Sequence, residues 1–178
     1  MRKTYFGRKK IGVFPCKSRE NAYAERISGM VGRFGVVYPF PSPIGFAKSP
    51  LQVFSRRYDY LILSWIENFV LDKRGNVSLL RVLVFWIYLL SCRIVSKKLV
   101  WIRHNNYPHS AGPGAVAYCK KLMDRLENIS DCVITHSGHN SLGKRHYVPH
   151  PLYVNSIAEE NPLPVGDYFF IFGRISAY

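Results

Sequence analysis

Acidic side chains are scarce in this sequence: 11 Asp and Glu stand against 25 Lys and Arg, giving a formal net charge of +14 over 178 residues. The imbalance turns the chain toward phosphate-bearing partners such as nucleic acid, anionic lipid head groups or nucleotide-linked substrates, without choosing among them. Cysteine is sparse too. Cys16, Cys92, Cys119 and Cys132 form no C-x-x-C pair, and no apolar run of the signal-peptide kind opens the chain. The expectation is a cytoplasmic protein with reduced thiols. Long hydrophobic runs are limited to Leu79–Val95, where Arg81 and Arg93 leave only a short uncharged stretch. A bilayer span needs ~20 mostly apolar residues. A helix buried between a sheet and its surroundings is therefore the preferred reading, with interfacial membrane docking as the alternative. Histidine pairs at helical i, i+4 spacing are lacking where a helix is expected, so no metal site is predicted.

What the sequence does have is apolar residues, 48% of the total, enough to exclude wholesale disorder. They fall into strand-length runs separated by helix-length segments. KIGVFPC (Lys10–Cys16), GVVYPF, YDYLILSW, LVWIRH, DCVITHS and YFFIFGR read as strands. Asn21–Phe34, the long apolar segment after Ser78, and Ala115–Ile129 read as helices, with Lys97 and Lys98 at the C-terminus of the second. This alternation predicts an α/β fold, a Rossmann-like parallel sheet flanked by helices. Residues 1–9 read as a basic arm, 10–154 as the domain, 155–166 as a linker and 167–178 as the first strand of a further domain.

In open parallel sheets, ligands bind beyond the carboxyl ends of the strands. Ser64–Asn68, His104–His109 and His136–Asn140 each follow a strand in this way, and all six histidines lie between His104 and His150. The polar edge of the sheet thus holds the groups that titrate near neutrality. Each of these residues also has a plain structural reading: Trp65 as core, Glu67 as a solvated loop carboxylate, Asn105 and Asn106 as turn formers, and His109 and Arg174 as ordinary turn and surface residues.

The ordered strings KIGVFPC, NAY opening a helix, SWIENF, VWIRHNNYPHS, DCVITHSGHNS, YVPHPLY and YFFIFGRISAY resemble the N-terminal half of a GT-B glycosyltransferase. The nearest likeness is to family-four exopolysaccharide enzymes, and it covers about residues 10 to 178. The resemblance implies transfer of a sugar from a nucleotide-sugar to a lipid-linked or polysaccharide acceptor, with no other cofactor. It implies His104 as the catalytic residue, Arg174, Asn105 and Ser137 on the donor side, and Trp65, Glu67, Asn68, His109, His136 and Asn140 on the acceptor side. Ser110 stands where many relatives carry an acid. The family's Glu-x7-Glu pair and second nucleotide-binding domain are not found in these 178 residues. The expectation is therefore a truncated chain, inactive alone, whose partners are a nucleotide-sugar, a saccharide or polyprenyl-linked acceptor, a separate donor domain and an anionic inner-membrane surface met by loops 34 to 60. The alternative is a non-catalytic adaptor for membrane surfaces or nucleic acid. An adaptor tolerates loss of His104; an enzyme does not.

Overall fold

The computed structural model describes residues 8–16, 22–136 and 143–148. They form a six-stranded sheet, all pairs parallel, from β1 (Lys9–Phe14), β2 (Gly35–Pro39), β3 (Tyr58–Ser64), β4 (Ser96–Arg103), β5 (Cys132–Thr135) and β6 (Arg145–Tyr147). The helices are α1 (Ala22–Val31), α2 (Pro43–Lys48), α3 (Leu79–Val95) and α4 (Val116–Ile129), with short 3-10 turns at Pro50–Ser55, Ile66–Val70 and Pro113–Ala115. Strand order is β2-β1-β3-β4-β5-β6. The chain steps outward from β1 to β2, then crosses back and proceeds the other way. The order therefore reverses between β1 and β3, the place where doubly wound sheets open a ligand crevice.

Strand periodicity sorts the apolar side chains to two sides. Leu61 and Leu63 of β3, Leu99 and Trp101 of β4 and Val133 of β5 join one core with Phe85, Tyr88 and Leu89 of α3 and Leu122, Met123 and Leu126 of α4. The intervening Ile62 and Ile102 join Ile11, Val13 and Tyr23 in a smaller core on the side of α1. Gly12, alternating with Ile11 and Val13, faces the larger core, where a Cβ would come within 2.8 Å of Leu61.

Four details differ from the sequence-based expectation. The helix α3, expected to be buried between the sheet and its surroundings, is covered on one side only and leaves Leu80, Leu83 and Leu90 exposed. Lys97 and Lys98 lie inside β4 rather than capping α3, because the strand begins directly at Ser96; they pair there with Asp59 and Asp131. The stretch around Arg145 contributes a strand, short and half-polar, whose guanidinium is clamped by Glu127 of α4. Ser42 starts α2, its hydroxyl accepting the Gly45 N–H at 2.9 Å. The proposed last strand at 168–174 lies outside the described residues.

Candidate functional site

The carboxyl ends of β3, β4 and β5 release the chain into Trp65, His104 and His136, and the three rings meet. Trp65 and His104 stack at 4.2 Å between centroids and 7° between planes. His104 and His136 lie 5.2 Å apart. Tyr23, in the first turn of α1, touches all three edge-on at 4.8 to 5.4 Å. The cluster sits beside the strand-order reversal and is partly exposed, except for Tyr23 and the enclosed Nε2 of His104.

Two hydrogen bonds define His136. Its Nδ1 lies 2.7 Å from the Val148 carbonyl, which can only accept, so Nδ1 carries the proton. In the neutral ring Nε2 is then an acceptor, and the Tyr23 hydroxyl donates to it at 2.5 Å. The ring is held at both nitrogens, between a helix and the end of the sheet. A cleft of about 240 Å³, walled by Ile27, Ile102, Ile134 and Val148, opens next to it. A wider cleft of about 780 Å³ lies on the same edge, over the ends of β1 and β2, between Phe14, Ser28, Phe40 and Ser42.

Trp65 reaches this cluster only through an unusual backbone. Alternation along β3 would send residue 65 to the side of Leu61 and Leu63. Instead Trp65 takes φ 53°, a left-handed conformation that costs a bulky residue about 1–2 kcal/mol, and its indole turns to the α1 side. Glu67, two residues on, goes the opposite way. It is 2% exposed and lies near Trp101 and Arg103. This overturns its reading as a solvated carboxylate and removes it from the acceptor surface: the turn that delivers Trp65 to one side delivers Glu67 to the other. Burial pushes its carboxyl up to about 7, more than its own backbone N–H and the nearby Arg103 charge pull it down. Among the described residues, neither Glu67 Oε2 nor Trp101 Nε1 completes a hydrogen bond.

The remaining sequence-derived residues scatter. Asn105 follows His104 and its carbonyl accepts from Arg103 at 3.3 Å. Asn68, in the 3-10 turn directly after Trp65, and His109, in the loop after β4, are both exposed. Ser137, Asn140 and Arg174 lie outside the described residues. The loop carrying His104 to Ser110 is anchored through Gly112, whose N–H donates 2.9 Å to the Gly75 carbonyl. Behind it, Arg103 and Arg145 share Glu127; burial would raise that carboxyl, but the two guanidiniums overcome it and hold it below the usual range.

Tyr23 is the residue that sequence reasoning missed. Its signal was the NAY string at the start of α1, where a helix first turn faces the same strand ends. Among the described residues, no group of three or more His, Cys, Asp or Glu side chains is placed to hold a metal ion. No family model matches the chain, and no curated protein and no solved structure matches it.

Proposed function

We propose that this chain is the acceptor-side domain of a GT-B glycosyltransferase, working on a nucleotide-sugar donor and a lipid-linked or polysaccharide acceptor. One observation carries the reading: the platform of Trp65, His104, His136 and Tyr23, assembled at the strand-order reversal from three strand ends and one helix start. Stacked rings beside an apolar cleft offer a flat face to the C–H side of a pyranose. A leaving diphosphate gathers negative charge as the glycosidic bond breaks, and fixed N–H donors with surrounding cations are what stabilise it. In this assignment His104 meets the donor sugar, with Asn105 beside it. Trp65 and His136 face the acceptor, and Asn68 and His109 belong to the rim. The donor-side Arg174 and Ser137 come from the resemblance alone.

Long-range ¹H–¹⁵N NMR of the imidazoles tests this directly. Titration with uridine-diphosphate hexose, and separately with a polyprenyl-phosphate-linked monosaccharide in micelles, should move the His104 and His136 signals. Trp65→Ala should weaken the response at least tenfold. If neither probe moves either imidazole, the glycosyltransferase reading fails.

A further inference from the structure

We propose that the outer face of α3 is a docking surface for an anionic lipid bilayer, on which the domain lies without crossing. The helix is apolar on both sides, and the sheet can cover only one. Phe85, Tyr88, Leu89, Cys92 and Val95 fill the core. On the opposite side Leu80, Leu83, Ile87, Leu90 and Ile94 are all exposed, at 70, 58, 47, 62 and 47%. Their 3-4-3-4 spacing sets them in one line, about 21 Å long at 1.5 Å per residue. Leu79, 84% exposed, extends it. A continuous apolar strip of this kind marks an interaction surface rather than ordinary exposure.

The strip has neighbours of the same character. The segment from α2 through the 3-10 turn at Pro50–Ser55 packs beside α3 and exposes Ile44, Leu51 and Phe54. The surface is therefore broader than one helix, and centred on α3 rather than on the loops of 34 to 60 alone.

Charge selects the occupant. No acidic residue occurs between Glu25 and Asp59, or between Asp72 and Asp124. Arg93, Lys97 and Lys98 are engaged with Asp131 and Asp59. Lys73 and Arg74 stand exposed ahead of the N-terminus of α3, while Arg57 binds the Ile94 carbonyl at its other end and Lys48 ends α2. An apolar strip fringed by exposed cations is the pattern of helices that lie in the interface plane of an anionic membrane. A second copy of the chain would bring the same cations and another +14 charges against the first. The 17 residues of α3 and its two arginines fit lying down; among the described residues no helix is long and apolar enough to cross a membrane.

The inference goes beyond sugar transfer and stands without it, because none of the surface belongs to the ring cluster. Flotation of the full chain with vesicles of phosphatidylcholine containing 30% phosphatidylglycerol, against pure phosphatidylcholine, is the test. We expect binding to the anionic vesicles only, weakened at least tenfold by Leu83→Glu or Ile87→Glu and unchanged by His104→Ala. Leu80→Glu, at a more exposed position, guards against a folding defect, and circular dichroism checks each variant. Undiminished binding in all three glutamate variants, or equal binding to the neutral and the anionic vesicles, would overturn the proposal. A lipid-free dimer in sedimentation that Leu83→Glu dissociates would also overturn it, assigning the face to a second copy.

Discussion

The two sides of the sheet are built to different depths. On one, α3 and α4 close over alternate residues of β3, β4 and β5, with Trp101, Phe85, Tyr88 and Met123 almost wholly buried. On the other, among the described residues, α1 is the helix that covers Ile11, Val13, Ile62 and Ile102, and clefts open over the same strands. The deep side buries the area from which most of the stability comes. The shallow side can then hold a left-handed tryptophan and two interacting imidazoles, features that a thin core would not fix in place by itself.

The largest effect that tests this division is a cavity on the deep side. Phe85→Ala should cost about 3–5 kcal/mol, whereas Ile27→Ala, on the partly covered α1, should cost about half as much or less. Urea midpoints measure both. Equal losses would mean that the shallow side carries as much of the fold as the deep one, and the contrast would collapse.

Glu67 sharpens the comparison because it is an ionisable group on the deep side. Its folded value of about 7 lies above the ordinary carboxyl value, so between about pH 4.5 and 7 the native state holds a proton that the unfolded state has lost. Stability should fall as pH rises through that window, and the penalty should be complete above it, roughly 3 kcal/mol. Glu67→Gln should remove the slope and leave the protein more stable at pH 8, read from urea melts across pH. An unchanged slope would show that the carboxylate keeps its charge through some hydrogen bond not made in this arrangement.

Much of this was legible in the sequence, and the exceptions have physical causes. Strand runs such as YDYLILSW and LVWIRH alternate between two apolar faces and sit in β3 and β4 as expected. The strand ends that were expected to share an edge do so, bringing Trp65, His104 and His136 together. The fate of Glu67 was not legible, because a period of two predicts that residues 65 and 67 share a side, and only the left-handed turn separates them. Nor was β6, whose three residues Arg145–Tyr147 carry no apolar pattern and join the sheet through backbone pairing with Val133–Thr135. The exposed strip of α3 was hidden by its own hydrophobicity. A helix apolar all round looks buried, and only the tertiary packing reveals which side is left over.

A smaller effect belongs to the turn that anchors the histidine loop. Gly75 has φ +79°, and a Cβ there would stand 2.3 Å from the Ser110 carbonyl oxygen. Gly75→Ala should cost about 1–3 kcal/mol and displace the loop after β4. The imidazole signals of His104 and His109 should move while that of His136, held by Tyr23 and Val148, should not. A shift in all three would mean that the ring cluster and its loop form one unit.

The smallest effect isolates the backbone of Trp65, and its sign matters more than its size. Alanine is ordinarily more stabilising than glycine, by about 0.5–1 kcal/mol where the backbone is regular. At a left-handed position the order reverses, since glycine has no Cβ to strain and alanine retains that cost of about 1–2 kcal/mol, more than its entropic advantage. Trp65→Gly should therefore be about 0.5–1 kcal/mol more stable than Trp65→Ala, although both lose the indole and with it the stacking on His104. Comparing the two variants cancels the lost ring and leaves only the turn. If alanine proves the more stable, residue 65 is not left-handed in solution. Trp65 and Glu67 would then share a side of the sheet, and the ring platform would have to be built without the tryptophan.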